Sequence, residues 1–272
     1  MYAKNFEYDG QLLSDYNCIV CDFDGSSGAV FASAGSSITF NKISRNHGKS
    51  YALSGIQYDE CITATFDICK NPDVVYDGDI YFTSNECRRM MRWLNRNQFN
   101  KFRVIYNNGE VENFYFNASF NVEKIKVGER VAGLRLTMET DSPYAYGKEE
   151  KYSFSVTNDT LTNKYRVSDM SDDVGDRYVY MEIICRSYGD LKIKNETLNT
   201  ETVIKDCSTN EKIILDGDTL TLKSSFTRNI FDSFNFEFPQ ITNSMDNRVN
   251  IFSFSLPCTV LISYKPVIKE TF

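Results

Sequence analysis

Histidine and tryptophan are almost absent from this sequence, which has one of each and only five prolines in 272 residues. The single histidine, His47, lies in the polar string SRNHGKS beside Gly48, away from any G-x-S-x-G motif. Catalysis by a histidine base needs a nucleophile positioned next to it. We therefore interpret His47 as a surface turn residue and the single tryptophan, Trp93, as a buried one.

Nucleotide-binding motifs and dense metal-ligand clusters are also missing. Neither G-x-x-x-x-G-K-[ST] nor G-x-G-x-x-G occurs, which disfavours nucleotide binding. Eight cysteines are scattered along the chain, and the one C-x-x-C pair, Cys18 and Cys21, would point to opposite faces of a strand. Zinc needs four ligands, and the string DFDG at 22–25 lacks the later oxygen ligands of a calcium loop. We expect no cofactor and no metal.

Long apolar runs and an excess of positive charge are absent as well. No stretch approaches the roughly 20 apolar residues that span a bilayer. The amino terminus lacks the basic segment and apolar run of a secretory signal. We therefore expect a soluble protein that is not exported and does not contact a membrane. The net charge of −7 repels phosphate, which disfavours a nucleic-acid clamp.

Strand signals dominate what is present, as alternating apolar and polar residues enriched in β-branched and aromatic types. This pattern predicts a mainly β fold. The predicted strands are residues 62–68, 101–106, 112–120, 133–139, 178–184, 190–195, 211–217 and 219–225. The string Asn107-Asn108-Gly109 predicts a tight hairpin, because Asn and Gly tolerate positive φ. The string Asp216-Gly217-Asp218 predicts a second hairpin.

One segment predicts a helix at about 84–98, since Cys87, Met90, Met91 and Leu94 follow helical spacing. Thr83 and Glu86 have the spacing of a capping box, and Phe82 with Cys87 can add a hydrophobic staple. The outer face holds four arginines: Arg88, Arg89, Arg92 and Arg96. Two interpretations stay open for this face, a solvated surface or a possible partner interface.

A change in composition predicts the domain boundary. The string DSPYAYG at 141–147 interrupts the β pattern, and a charged run follows it. We therefore predict a first domain at 1–147 and a second at 148–272. The acidic string at 169–176 is predicted to form a surface loop before the later strands.

Several strings together resemble the distal tail (Dit) protein family of phages that infect Gram-positive bacteria. In the first half these are Phe6–Gly10 (FEYDG), DYNCIVCDFD, Arg92–Arg96, Phe102–Arg103, Phe116–Phe120, Gly133–Thr137 and Asp141–Ala145. In the second half they are Val174–Gly175, Ile193–Asn195, Glu211–Ile213 and the run VLISYKPVIK at 260–269. The order of these strings along the chain carries the resemblance.

The resemblance implies a non-enzymatic structural protein at the distal end of a siphovirus-type tail, made in the cytoplasm of the bacterial host. A prophage is an equally compatible source. It implies an N-terminal β-barrel or sandwich with one helix, of which six copies form a ring, and a C-terminal galectin-like β-sandwich. The implied partners are the tail tube protein, the tail-tip hub or tail-associated lysin, and receptor-binding proteins. DNA would pass through the ring without specific binding.

The segment Ser26–Ser50 is rich in Ser, Gly and Ala, and we interpret it as a long loop or flexible hairpin that reaches a neighbouring subunit. Two other functions stay open. One is a carbohydrate- or receptor-binding β-sandwich without a ring, which needs exposed aromatics on a concave face. The other is a glycosidase, for which the adjacent pairs Glu149-Glu150 and Asp172-Asp173 supply carboxylates without the required geometry.

Overall fold

The structure is a computed structural model that describes residues 3–23, 38–45, 48–58, 60–75, 79–106, 113–157, 163–244 and 246–270. The chain divides into two compact units. The first comprises Met1–Tyr146 with Ile268–Phe272, and the second comprises Gly147–Val267. Each unit has its own hydrophobic core.

The described residues of the first unit form ten strands, one α-helix and a 3₁₀ turn at Leu13–Tyr16. The strands are β1 (Ala3–Tyr8), β2 (Gln11–Leu12), β3 (Cys18–Cys21), β4 (Ile38–Arg45), β5 (Ser50–Tyr58), β6 (Thr63–Lys70), β7 (Asn100–Tyr106), β8 (Phe116–Val127), β9 (Arg130–Thr140) and β10 (Ala145–Tyr146). The helix, α1, spans Ser84–Leu94.

Seven of these strands form one antiparallel sheet in the order β2-β1-β7-β8-β9-β6-β3. Alternate side chains of the sheet enter the core with one side of α1. The Phe6 ring stacks on Trp93 at a centroid distance of 5.7 Å and contacts Phe102 at 5.4 Å. Trp93 Nε1 donates a hydrogen bond to Tyr8 O at 3.0 Å, so its polar atom is satisfied inside the core.

The capping box predicted for α1 is confirmed. Thr83 Oγ1 accepts from Glu86 N at 3.3 Å, and Glu86 Oε2 accepts from Thr83 N at 2.7 Å. The predicted end near 98 is wrong, because Asn95 leaves helical geometry at φ −83° and ψ 89°. The predicted inner face is wrong at Met91, which is exposed, whereas Cys87, Met90 and Leu94 are buried. The predicted burial of Trp93 is confirmed, since the sheet covers the side of the helix that includes it.

In the part of the second unit that the structure describes, the chain forms twelve strands and a 3₁₀ turn at Ile230–Ser233. The strands are β11 (Glu150–Val156), β12 (Tyr165–Ser168), β13 (Gly175–Tyr178), β14 (Tyr180–Cys185), β15 (Gly189–Asn195), β16 (Thr200–Cys207), β17 (Lys212–Asp216), β18 (Thr221–Ser224), β19 (Gln240–Asn243), β20 (Val249–Phe254), β21 (Cys258–Tyr264) and β22 (Val267–Ile268). The last, β22, crosses the boundary between the two units.

Two antiparallel sheets of the second unit share one core and so form a β-sandwich. One has the order β11-β21-β14-β17-β18 and the other has the order β12-β20-β15-β16. The first sheet contributes Ile183 and Val260, and the second contributes Ile193 and Phe252, all of them fully buried or nearly so. The prediction of a mainly β chain with one helix is confirmed.

The second predicted hairpin is present, with β17 and β18 paired from Ile213–Ser224 to Asp216–Thr221. Asp216 Oδ1 accepts from Asp218 N at 3.0 Å and so supports the turn. A Cβ on Gly217 would lie 2.6 Å from Val179 O, so only glycine fits there. The first predicted turn, at 107–109, lies outside the described residues, although the flanking strands β7 and β8 do pair, with Phe102 opposite Phe116.

Three other predictions need correction. The predicted strand at 178–184 is broken at Val179, so that β13 and β14 belong to different sheets. Strand β8 begins at Phe116 rather than at 112. The string at 169–176 is only partly a surface loop, because Asp169 and Ser171 are fully buried. Asp169 pairs with Arg177 at 2.8 Å, which compensates a buried carboxylate that sequence composition alone places at the surface.

Candidate interaction surfaces

The hairpin of β4 and β5, here called the arm, is a two-stranded sheet with no third strand among the described residues. Its register runs from Ile38 opposite Tyr58 to Arg45 opposite Ser50. Residues 38–45 and Ser50 of the predicted loop or hairpin at 26–50 thus form strands of a hairpin. Residues 26–37 and 46–47, which include His47, lie outside the described residues.

A β-bulge at Ser54 determines which side chains share a face of the arm. Asn41 pairs with Gly55 and Lys42 pairs with Leu53, so Ser54 is the extra residue on β5. Its hydroxyl donates to Asn41 O at 3.0 Å. Opposed residues of an antiparallel pair point to the same side of the sheet. The bulge therefore places Leu53, opposite Lys42, on the face that also carries Phe40 and Ile56.

The arm is amphipathic as a result of this bulge. One face, here called the apolar face, carries five large exposed side chains and Lys42. The five are Ile38 (40% exposed), Phe40 (56%), Tyr51 (64%), Leu53 (59%) and Ile56 (40%). A two-stranded hairpin is marginal by itself in water, and contiguous exposed apolar surface marks an interaction site. The apolar face is therefore the leading candidate site of the first unit.

The arm also differs in charge from the rest of the chain. Residues 38–58 contain Lys42, Arg45 and Lys49 and no acidic residue. The rest of the chain, with 27 basic and 37 acidic residues, has a net charge of −10. The arm is thus a positively charged extension of an acidic protein, which favours an acidic partner surface.

The structure separates the four predicted interface arginines into two pairs. Arg89 lies over the Tyr16 ring at 4.6 Å, and Arg96 contacts Asp9 at 3.4 Å, so both make contacts within the chain. Arg88 and Arg92 are exposed one helical turn apart on α1. These two side chains form a compact basic face that a partner can reach.

The carboxylate pairs considered for a glycosidase are not among the residues that line a cleft of the first unit. This cleft of about 430 Å³ lies between the segment after α1 and the sheet, and Glu139 is the one carboxylate among its described lining residues. Glu149 instead pairs with Lys151 at 2.9 Å. An open cleft with a single carboxylate does not supply the two-carboxylate arrangement of a glycosidase.

The cysteines form no metal cluster in the described part of the chain. Cys18 and Cys21 lie at the two ends of β3, as their spacing predicts. Burial raises the pKa of Cys18 and of Cys258 to about 12 each, which keeps both thiols protonated at neutral pH. Among the described residues, no helix has the length and apolar character required to cross a bilayer.

Comparison with known families identifies the chain. Residues 1–142 match a family described as a phage tail protein N-terminal domain, and residues 144–264 match a phage tail C-terminal domain. The chain belongs to the phage tail protein family. No curated protein matches the sequence.

The tail protein also resembles a solved structure, the Dit protein (gp 19.1) of phage SPP1, which is described as a paradigm of the hub adsorption apparatus in Gram-positive infecting phages. The two are 14% identical with a TM-score of 0.63, and the match covers 96% of this chain and 98% of that chain. At this identity the likeness shows the fold. The resemblance to the distal tail protein family is confirmed, and the chain is a structural protein of the virion tail.

The sequence patterns did not predict the apolar face of the arm. Leu53 and Ile56 are three residues apart, so strict alternation assigns them to opposite faces of a strand. The signal that reveals the apolar face is the pair Ser54-Gly55 inside an alternating run, since glycine in a strand often accompanies a bulge.

Proposed function

We propose that this tail protein forms a hexameric ring at the distal end of the tail, where it joins the tail tube to the tail-tip hub and anchors receptor-binding proteins. In this proposal it has no catalytic activity, and DNA passes through the ring without specific contacts. The two units serve as a ring domain and a galectin-like peripheral domain. The Dit hub fold supports the proposal at the level of architecture.

The arm carries the proposal, because its apolar face is exposed in the single chain and needs a surface to cover it. We propose that this surface belongs to the next subunit of the ring. Burying five large side chains stabilises a contact by about 25 cal/mol for each Å² of apolar surface removed from water. A contact between the arm of one copy and the body of the next joins two different surfaces, which is the geometry that closes rings.

The exposed pair Arg88 and Arg92 is assigned a different role, as a contact for a tail partner with an acidic surface. Two positive charges without a described ion pair can steer such a partner toward the first unit. This contact would be separate from the arm.

The test compares two arm variants of equal charge in the full chain. Phe40→Asp with Leu53→Asp places both carboxylates on the apolar face, whereas Asn41→Asp with Gln57→Asp places them on the opposite face. Native mass spectrometry across a concentration series and incorporation into tails are the readouts. We expect the first variant to lose ring formation and incorporation while the second retains them. Equal behaviour of the two variants would contradict the role of the apolar face.

A further inference from the structure

The second unit carries an exposed cluster of aromatic rings, here called the aromatic patch. Phe231 (41% exposed) and Phe236 (68%) stack at a centroid distance of 6.4 Å. The buried Phe234 lies next to Phe236 at 5.5 Å and contacts Phe238 at 5.2 Å, and Phe238 in turn contacts the exposed Tyr178 at 6.4 Å. The patch is thus a continuous chain of rings with its outer members at the surface.

Phe236 is held in a costly backbone conformation. Its φ is +63°, a region that bulky side chains seldom adopt. The preceding residue fixes this geometry, because Asn235 Nδ2 donates to Glu201 O at 2.9 Å and Asn235 Oδ1 accepts from Val203 N at 3.0 Å and from Glu237 N at 3.3 Å. Such strain persists where the surroundings enforce it and is concentrated at functional sites. The patch therefore presents a rigid, exposed ring.

Three carboxylate residues adjoin the aromatic patch, and together they are here called its acidic rim. Asp232 follows Phe231 and Glu237 follows Phe236 in the sequence, and Glu201 of β16 accepts from Asn235 Nδ2 through its backbone O. All three residues are exposed, and none has a described ion pair within the chain. Aromatic rings with carboxylates around them favour an apolar partner segment that carries positive charge.

We propose that the aromatic patch of one copy receives the apolar face of the arm of the next copy. This inference rests on the proposed ring and names the surface that the arm contacts. The arm supplies large apolar side chains with Lys42 on the same face, and it lacks acidic residues. The patch supplies rings with a carboxylate rim. The two surfaces are complementary in both hydrophobicity and charge.

The basic face of α1 is a poor alternative for the arm. Arg88 and Arg92 would oppose the positive charge of Lys42 and Arg45, and like charges at an interface disfavour contact. The other large exposed apolar side chains described in the body of the first unit do not adjoin one another in the sequence. They are Phe23, Val74, Ile80, Met91, Phe99 and Val127.

The experiment places a photo-reactive benzoyl-phenylalanine at position 40 of the full chain and irradiates assembled tails. A cross-link between two chains gives a dimer on a denaturing gel, and mass spectrometry locates the attachment. We expect dimers in which position 40 is joined to residues 226–238. Dimers joined instead to the first unit would overturn this inference and leave the proposed ring in place. Tails without any dimer would overturn both.

A charge exchange provides the matched control. Lys42→Glu should raise the protein concentration required for ring formation at least tenfold, because its carboxylate would meet the acidic rim. Asp232→Lys with Glu237→Lys should have a similar effect alone and should restore assembly when combined with Lys42→Glu. Additive losses in the combined variant would show that these charges do not face each other.

Discussion

Glu211 is a fully buried carboxylate of the second unit, and it accepts hydrogen bonds from three donors. It accepts from Ser224 Oγ at 2.6 Å and Arg228 Nε at 2.8 Å, and from Ser208 N at 2.8 Å. Burial alone would raise the pKa of this carboxyl, but the three donors together lower it below its ordinary value. The ion pair of Glu211 with Arg228 therefore contributes to stability only while Glu211 is ionised.

Glu211→Gln is expected to destabilise the second unit by roughly 2–4 kcal/mol at neutral pH, because it leaves Arg228 without its charge partner. The lowered pKa means that this contribution is present above the unfolded value of about 4.3 and is lost as the pH falls through the folded pKa. The difference between wild type and variant should therefore shrink in acid. Hydrogen exchange at the amides of Lys212–Asp216 measures this difference in the free energy of unfolding.

Glu182→Gln is the matched control for this prediction. Glu182 pairs with Lys212 at 2.8 Å at the surface, where a pair contributes about 0–1 kcal/mol. A loss as large as that of Glu211→Gln, or a difference at Glu211 that does not depend on pH, would contradict the account of the buried pair.

Arg88→Glu with Arg92→Glu is expected to leave the fold intact and to reduce incorporation into tails. Neither exposed side chain has a described ion pair in the chain, so the reversal breaks no described ion pair. The control reverses two other exposed cations of the same unit, Lys124→Glu with Lys126→Glu. Trp93 emission reports the fold, and the amount of protein in purified tails reports the function. Normal incorporation of the arginine variant would remove the helix face from the interface.

At the scale of elements, α1 shows how a local signal and a tertiary one combine. The capping box at Thr83 and Glu86 is a local pattern, and it predicts the first residue of the helix. The end of the helix depends on tertiary contacts that sequence periodicity does not include. Ser119 Oγ donates to Arg96 O at 2.8 Å, which holds the segment after Asn95 against β8.

Thr83→Ala is expected to destabilise the first unit by about 1 kcal/mol, because the amide of Glu86 loses its acceptor. Urea unfolding followed by Trp93 emission reports this unit, since the single tryptophan lies in its core. Ser84→Ala, at the exposed first helical position, is the control. A smaller loss for Thr83→Ala than for the control would contradict the importance of the cap.

The bulge at Ser54 in the arm is expected to determine which side chains share the apolar face. Insertion of one residue between Asn41 and Lys42 gives Ser54 a partner and removes the bulge, so Tyr51 and Leu53 should move to the face opposite Phe40 and Ile56. The apolar face is then divided, and ring formation should weaken while Trp93 emission is unchanged. Ser54→Ala retains the bulge and loses only the hydrogen bond to Asn41 O, so it should assemble nearly as wild type. An insertion variant that assembles normally would refute the importance of the shared face.

Strand prediction succeeded where alternation is regular and failed where a tertiary feature interrupts it. The segment TETVIKDC of β16 alternates weakly because Lys205 and Asp206 adjoin at the strand end, and the positive φ of Asp206 ends the pattern. Val179 separates β13 from β14 inside a run that reads as one strand. Neither break has a sequence signal as strong as glycine or proline.

At the scale of the whole molecule, the resemblance between local strings and a tail protein family identified the fold and the family. The four arginines were predicted as one surface, but Arg89 and Arg96 contact Tyr16 and Asp9, which are distant in sequence. The aromatic patch was not predicted, because aromatic residues in a β-rich sequence are usually buried in the core. Their exposure depends on the backbone conformation at Asn235 and Phe236, which composition and periodicity do not encode.

The ring is the central claim, and the most direct test is electron microscopy combined with native mass spectrometry of the purified full chain at increasing concentration. The account predicts rings with a central hole and a mass six times the 31.3 kDa of the chain. It also predicts that these rings are lost in the variant with aspartates at positions 40 and 53. Rings of the same mass formed equally well by that variant would contradict the account. So would tails that contain the protein in a number of copies that is not a multiple of six.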